Sequence, residues 1–314
     1  MIPAGGEVSL SYKGACKKFN GVAALEGIDL EVRRGEIFGF IGPDGAGKTT
    51  LIRMAMGITN PDTGECTLLG MKNRRMARVN AGYVPQLFSL YTDMTVNENI
   101  ALFGSLYGTE RETVLKRAED ILKRTGLWPF RERLVGKLSG GMKQKLALAS
   151  GLMHTPEILF LDEPTTGVDP VARREFWAML YELNRQGLTI IVSTPYMDEA
   201  ELCTRKMFIN NGRILDVGTS EELLSRYDKK ILRLELDERR AKDWLMKCGH
   251  VCDANLFGTN YHIVVDDADA AAREIRKELD SRYSPVPELF EITPGLEDLF
   301  VAFSGGALPC RVLQ

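Results

Sequence analysis

The feature that most constrains this chain is a glycine-rich stretch that separates an apolar run from a helical pattern. Residues 36–41 (Glu-Ile-Phe-Gly-Phe-Ile) form a compact run of buried-strand length, which stops at Gly42. Beyond Thr50, apolar residues recur at helical spacing. A buried strand, a glycine-rich loop and a helix in this order are typical of α/β proteins, in which parallel strands alternate with helices.

The glycine-rich stretch has the pattern of a phosphate-binding loop, Gly42-Pro43-Asp44-Gly45-Ala46-Gly47-Lys48-Thr49-Thr50. Glycines allow successive backbone N–H groups to point at a phosphate, and the helix start adds the positive end of its dipole. We expect Lys48 to reach the β- and γ-phosphates and the Thr49 hydroxyl to bind Mg²⁺. The loop therefore predicts a nucleotide site.

A second apolar run ends in two acidic residues, in the sequence Ile158-Leu159-Phe160-Leu161-Asp162-Glu163-Pro164. Asp162 is predicted to hold a water ligand of the Mg²⁺. Glu163 is predicted to face the γ-phosphate and to orient or deprotonate the attacking water. Strands often end in acidic residues for solubility, but after a phosphate loop the pair indicates nucleotide hydrolysis.

A helical segment interrupts the α/β pattern. Three amphipathic stretches lie between about 95 and 154, and Thr95 with Glu98 predicts a capping box at the start of the first. Strands and helices alternate again beyond it. The sequence therefore predicts a mostly parallel sheet covered on both faces.

The pattern changes again after Tyr227. Residues 231–236 and 261–265 alternate as half-buried strands, and each run is followed by an amphipathic helical stretch. These runs predict a small α+β domain. The expected organisation is an ATP-binding domain at 1–227, with a helical subdomain at about 87–155, and a C-terminal accessory domain at 228–314.

Composition and charge exclude several classes of function. The 314 residues carry 40 Lys and Arg against 43 Asp and Glu, a net charge of -3. This balance provides no basic field for nucleic acid, so no nucleic-acid partner is expected. No apolar run approaches the ~20 residues of a membrane-spanning helix, and the first residues lack the pattern of a signal peptide. We expect a soluble, cytoplasmic chain.

The six cysteines are scattered, which fits a reducing compartment. The one cluster, at 248–252 (Cys-Gly-His-Val-Cys), offers three zinc ligands where a structural site needs four. We interpret it as a turn between a helix and a strand.

A third motif stands before the next helical pattern, Leu138-Ser139-Gly140-Gly141-Met142-Lys143-Gln144-Lys145. Alone it would be an ordinary helix N-cap. Between the other two motifs it resembles the signature sequence of the ATP-binding-cassette (ABC) ATPases. The resemblance extends over about residues 7–225. It implies an α/β P-loop cassette with a mostly parallel sheet, an antiparallel β subdomain and a helical insert.

The resemblance implies roles for further residues. Phe19 lies where the family has an aromatic ring that stacks on adenine, although a buried aromatic at a strand end gives the same pattern. Gln86 is similar to the glutamine that contacts Mg²⁺ and the attacking water. Asp169 is similar to the aspartate that crosses the interface of a cassette dimer.

The implied site is as follows, with ATP and Mg²⁺ as its cofactors. The nucleotide-binding residues are those of the phosphate loop together with Phe19, Ser139, Gly140, Gly141 and Asp169. The metal-binding residues are Thr49, Gln86 and Asp162, and the catalytic residues are Lys48, Gln86 and Glu163.

The family resemblance also implies partners. Two cassettes pack head to tail, with ATP between the phosphate loop of one and the signature motif of the other. The chain is similar to ATPase subunits of the daunorubicin-resistance type of drug exporter, whose permease is a separate transmembrane chain. That implies a cytoplasmic location at the inner face of the membrane. Residues 87–99, with Phe88, Tyr91 and Met94, are expected either to seat a permease helix or to pack the helical insert. For the accessory domain, two roles are open, contact within the dimer and regulation.

One residue departs from the family pattern. The family places a histidine that contacts the γ-phosphate where this chain has Pro195, in Ser193-Thr194-Pro195-Tyr196. Proline has no side-chain donor and no N–H. Loss of such a contact slows hydrolysis by roughly 10²–10³-fold where it acts mostly in the transition state.

Two interpretations of Pro195 follow. In the first, the site of this chain is slow or silent, and its signature motif completes the site of a partner cassette that retains the histidine. In the second, Glu163 and Gln86 suffice and a homodimer hydrolyses ATP at a reduced rate. A non-hydrolysing regulatory ATP-binding subunit is the alternative class of function.

Overall fold

The structure, a computed structural model, describes residues 6–86, 90–106 and 111–304. The chain divides into two compact units between Val217 and Gly218. This division lies ahead of the boundary expected at 227, because a short helix just beyond it contacts the last helix of the second unit. Each unit has its own hydrophobic core.

The first unit alternates strands and helices around an antiparallel β subdomain and a helical insert. In chain order its elements are β1 (Val8–Phe19), β2 (Val22–Arg33), β3 (Ile37–Ile41), α1 (Lys48–Ala55), β4 (Thr63–Leu68), α2 (Arg74–Ala77), β5 (Ala81–Val84), α3 (Val96–Leu106), α4 (Arg111–Arg124), α5 (Gly140–Gly151), β6 (Ile158–Asp162), α6 (Pro170–Arg185), β7 (Thr189–Thr194), α7 (Met197–Leu202), β8 (Arg205–Asn210) and β9 (Arg213–Gly218).

The main sheet of this unit has the strand order β5-β6-β7-β3-β8-β9 within the described residues. The pairs from β5 to β8 are parallel. Every residue of β3, β6 and β7 is buried, as expected for strands covered on both faces. The prediction of a mostly parallel sheet is confirmed.

A second sheet, of order β2-β1-β4, is antiparallel. Strands β1 and β2 are joined by Asn20 and Gly21, with φ of 50° and 83°. A two-residue turn with both φ values positive matches the twist of a hairpin.

The helical insert contains α3, α4 and α5, which share a core that includes Ile100, Leu122 and Leu146. At the start of α3, Thr95 N donates to Glu98 Oε2 at 2.7 Å, and Glu98 N donates to Thr95 Oγ1 at 3.2 Å. The predicted capping box is therefore present.

The second unit is a small α+β domain. Its elements are α8 (Ser220–Ser225), β10 (Lys230–Glu235), α9 (Ala241–Leu245), β11 (Val251–Phe257), β12 (Asn260–Val265), α10 (Ala268–Arg282), β13 (Leu289–Ile292) and α11 (Leu296–Ser304). The sheet is antiparallel with order β11-β12-β10-β13. From β10 to β13 the order βαββαβ is that of a ferredoxin-like split βαβ fold. Among the described residues, no helix is long and apolar enough to span a membrane.

The core of the first unit yields a stability prediction. Phe160 is fully buried at the centre of β6. We expect Phe160→Ala to lower the free energy of unfolding of this unit by about 3–5 kcal/mol, because it leaves a cavity in the hydrophobic core that packs on the sheet. Leu115 on α4 is 48% exposed, so Leu115→Ala should change it by less than about 1 kcal/mol. Urea unfolding followed by tryptophan fluorescence measures both; equal losses would contradict the packing described here.

Candidate nucleotide site

The candidate site lies where four neighbouring strands of the main sheet end. Strands β5, β6, β7 and β3 are parallel, so their carboxyl ends lie at one edge of the sheet. The segments that leave this edge begin at Pro85, Glu163, Pro195 and Gly42. Motifs separated by more than 100 residues in sequence are therefore brought together by strand order alone.

The phosphate loop requires glycine at its two ends. A Cβ on Gly42 would lie 2.2 Å from the carbonyl oxygen of Ile209. Gly47 has a φ of 110° and precedes α1. No side chain in the described residues caps α1, so the N–H groups of its first turn face a prospective anion.

Lys48 is buried, and its ammonium group has three oxygen partners. Nζ donates to the carbonyl oxygens of Gly42 at 2.7 Å and Pro43 at 3.0 Å. It also lies 3.2 Å from Glu163 Oε1. The carbonyl partners fix the position of the buried ammonium group, which suits a side chain that binds phosphate oxygens.

The Asp162 carboxylate is held by three hydroxyl groups. Thr49 Oγ1 donates to Oδ1 at 3.1 Å and Ser193 Oγ at 2.6 Å, while Tyr83 Oη lies 3.4 Å from Oδ2. Burial and, next, the Asp162 charge raise the pKa of Tyr83 to about 12, so its phenol stays protonated. An acidic oxygen beside the Thr49 hydroxyl is the donor pair that Mg²⁺ prefers, so these residues fit the metal.

Glu163 adopts an unusual backbone conformation. Its φ is 48°, in the left-handed region that residues other than glycine rarely occupy. Its N–H donates to Ser193 at 3.0 Å (Oγ) and 3.1 Å (carbonyl oxygen). Gln86 Nε2 donates to Glu163 Oε2 at 2.9 Å. Neighbouring groups thus hold the carboxylate in a costly conformation, a frequent feature of functional sites.

Pro195 lies directly beside the phosphate loop. Gly42 N donates to the carbonyl oxygen of Thr194 at 3.3 Å, which joins the end of β7 to the start of the loop. Tyr196 N donates to Thr194 Oγ1 at 3.1 Å, and the Arg173 guanidinium lies 4.8 Å from the centre of the Tyr196 ring. The proline therefore directly follows the strand end that is hydrogen-bonded to the start of the loop.

The signature motif begins α5. Ser139 is its N-cap, and the serine hydroxyl accepts from Met142 N at 3.3 Å. Ser139 and Gly140 are exposed. A Cβ on Gly140 would meet none of the described atoms within 4 Å, whereas one on Gly141 would lie 2.7 Å from Ala172 Cβ at the start of α6. Gly141 thus permits close packing of two helix N-termini.

Two predicted contacts have specific local settings. Asp169 caps α6, because Oδ1 accepts from Val171 N at 3.1 Å and from Ala172 N at 3.0 Å. Phe19 is 50% exposed at the end of β1, so the alternative of a buried strand-end aromatic does not apply. Phe19 pairs with Val22 beside the turn of the β1–β2 hairpin. In the same hairpin, the carbonyl oxygen of Ala24 lies close to Gly47 of the phosphate loop.

Sequence reasoning missed Ser193 and Tyr83. Ser193 links both acidic residues of the site, and its only sequence signal is its place at the end of a buried strand. Of the predicted docking segment, Leu87 and Phe88 lie outside the described residues. Tyr91 is exposed and Met94 is half-buried.

The buried lysine, the carboxylate with its hydroxyl partners and the uncapped helix start define a P-loop nucleotide-binding site. Comparison with known families agrees with this assignment, because the model of the ABC transporter family matches residues 25–166.

Individual relatives extend the match. The probable multidrug ABC transporter ATP-binding protein YbhF of Escherichia coli K12 is 38% identical over 306 residues, which cover 95% of this chain and 52% of that protein. The daunorubicin/doxorubicin resistance ATP-binding protein DrrA of Streptomyces peucetius is 35% identical, over 74% of this chain and 72% of that protein. The structure of cbiO1 from Clostridium perfringens, part of the ABC transporter complex cbiONQ, has a TM-score of 0.65 and 28% identity, over 70% and 91% of the two chains.

The chain belongs to the ABC transporter family, and its first unit has the fold of an ABC ATPase cassette. It spans about half the length of the E. coli relative.

The helix contact at Gly141 yields a prediction. We expect Gly141→Ala to lower the free energy of unfolding by about 1–3 kcal/mol, because the added methyl overlaps Ala172. Gly140→Ala is the matched control and should not destabilise the chain, since its Cβ enters open space. Thermal or urea unfolding measures both. In the double variant Gly141→Ala/Ala172→Gly the two changes should be non-additive, because the second removes the atom that is overlapped; additive losses would sink the steric explanation.

Proposed function

We propose that this chain is the ATP-binding and ATP-hydrolysing subunit of an ABC transporter of the multidrug-export type, which drives separate membrane subunits. The observation that carries the proposal is the convergence of Lys48, Thr49, Asp162, Glu163 and Gln86 at one sheet edge. The similarity to exporter ATP-binding proteins supports the direction of transport.

Each of these residues has a distinct task in the proposed reaction. Lys48 and the N–H groups of the phosphate loop bind the β- and γ-phosphates. Thr49, Asp162 and Gln86 would hold Mg²⁺, which supplies charge neutralisation between phosphate oxygens. Glu163 accepts a proton from the attacking water, and its backbone conformation orients the carboxylate.

Nucleotide binding must separate an existing ion pair. Glu163 Oε1 lies 3.2 Å from Lys48 Nζ, and both side chains are buried. In the proposed reaction, phosphate oxygens replace the carboxylate as the partner of Lys48, which frees Glu163 to contact the attacking water.

The proposed partners are a second cassette and a permease. The exposed Ser139 and Gly140 at the start of α5 offer a hydroxyl and uncommitted helix N–H groups to a γ-phosphate from outside the chain. The proposed surface for the permease includes the exposed Tyr91. Its backbone is held by Asn99, which accepts from Tyr91 N and donates to the Tyr91 carbonyl oxygen, both at 2.9 Å. Attachment to a permease would place the chain at the inner face of the membrane.

A second candidate function is a weakly hydrolysing or regulatory cassette. The observation that favours it is the position of Pro195 beside Gly42, where no side-chain donor is available. In this proposal the signature motif completes the site of a partner cassette that retains the histidine.

The experiment that tests these proposals is the steady-state Mg-ATP turnover of the purified chain. We expect Glu163→Gln to abolish the turnover that the parent has, because the amide cannot accept a proton. Glu182 is exposed on α6, so Glu182→Gln controls for loss of one charge. Turnover that survives Glu163→Gln undiminished would exclude the proposed base.

Substitution at Pro195 separates the two candidates. If the site is degenerate, Pro195→His should raise turnover by roughly 10²-fold, because it restores a donor that acts in the transition state. Pro195→Ala should leave it low, since alanine restores the backbone N–H but adds no side-chain donor. Ordinary turnover in the parent, unchanged in Pro195→His, would exclude the asymmetric pair and leave a self-sufficient homodimer.

A further inference from the structure

A short surface segment combines exposed apolar side chains with uncompensated positive charge. Residues 71–79 contain four cations and no acidic residue. Met76 is 65% exposed and Val79 59% exposed, and Ile58, adjacent through Gly57, is 58% exposed. We call this surface, residues 71–79 with Ile58, the basic apolar segment. Apolar side chains exposed in a cluster generally mark an interaction surface.

The charges of the segment are unevenly compensated. Lys72 pairs with Glu65 at 2.9 Å. Asp62, which directly precedes β4, pairs with Lys17 at 2.7 Å. Among the described residues, Arg75 and Arg78 have no ion-pair partner, and both side chains are exposed. The segment therefore presents at least two free guanidinium groups beside its apolar side chains.

The segment is anchored, so its exposure is a fixed property. Arg74 points inward, where Nη1 donates to the Met54 carbonyl oxygen at 2.7 Å and Nη2 to Asn60 Oδ1 at 2.8 Å. Ala77 is fully buried in the core of the first unit. These two side chains anchor the segment, and the neighbouring side chains at 75, 76, 78 and 79 remain on the surface.

We propose that the basic apolar segment binds an anionic membrane surface, with Arg75 and Arg78 at the lipid phosphates and Met76, Val79 and Ile58 among the headgroups. Apolar side chains flanked by cations are the composition of interfacial membrane contacts. Met76 and Val79 are largely exposed beside the exposed Arg75 and Arg78. An anionic lipid surface offers a partner to both kinds of side chain, whereas an acidic peptide offers one to the arginines alone.

The rest of the chain offers no general attraction to such a surface. Its net charge is -3, so anionic vesicles repel the molecule as a whole. Binding therefore depends on the local segment and should weaken with added salt. It needs no nucleotide, so its test is independent of the proposed ATPase activity.

The experiment is co-sedimentation of the full chain with vesicles of phosphatidylglycerol and phosphatidylcholine, against vesicles of phosphatidylcholine alone. We expect Arg75→Gln/Arg78→Gln to weaken binding to the anionic vesicles by roughly 30-fold. Met76→Ser/Val79→Ser should weaken it by about tenfold. The matched controls are Arg239→Gln/Arg240→Gln and Met246→Ser/Val286→Ser, exposed pairs in the second unit, which should have no effect.

Three outcomes would overturn the proposal. One is parent binding to anionic vesicles no stronger than to phosphatidylcholine. Another is parent binding that the Arg75→Gln/Arg78→Gln change leaves intact. The third is binding to anionic vesicles that is lost in Arg75→Gln/Arg78→Gln, is unaffected by Met76→Ser/Val79→Ser and is fully displaced by polyglutamate. That result would identify an acidic polypeptide as the partner. An unchanged thermal unfolding midpoint in every variant shows that each has folded.

Discussion

A buried lysine and two buried acidic residues sit at the edge where the central strands end, and the arrangement of the first unit satisfies them. Charges removed from water are tolerated only with partners, and each partner here comes from a different segment. The phosphate loop supplies carbonyl oxygens, β7 supplies Ser193, and β5 leads to Tyr83 and Gln86. The parallel strand order is what brings these groups within reach, so the fold and the chemistry share one requirement.

Much of this unit could be predicted from the sequence, because its motifs are local. The phosphate loop, the acidic strand end and the capping box at Thr95 each depend on residues within a few positions of one another. Contacts such as that of Ser193 with Asp162 join segments 31 positions apart. A serine at the end of a buried strand has no local feature that reveals such a partner, and the left-handed backbone of Glu163 likewise results from its surroundings.

The second unit shows the same limit at the level of topology. Alternation predicted the strands β10 and β12 and the helix that follows each. It did not predict that β10 lies between β12 and β13, because the pairing order depends on which edges remain available after hairpin formation. The ferredoxin-like arrangement therefore required the structure. Since many unrelated functions share this fold, the topology alone does not assign the unit a role.

The contact between Gly141 and Ala172 has a mechanical consequence. It joins the first turn of α5, where the signature motif is exposed, to the first turn of α6, which Asp169 caps. Only the Ala172 methyl separates the two helix N-termini. A displacement of one helix end toward the other is therefore resisted directly by backbone and not absorbed by a long side chain.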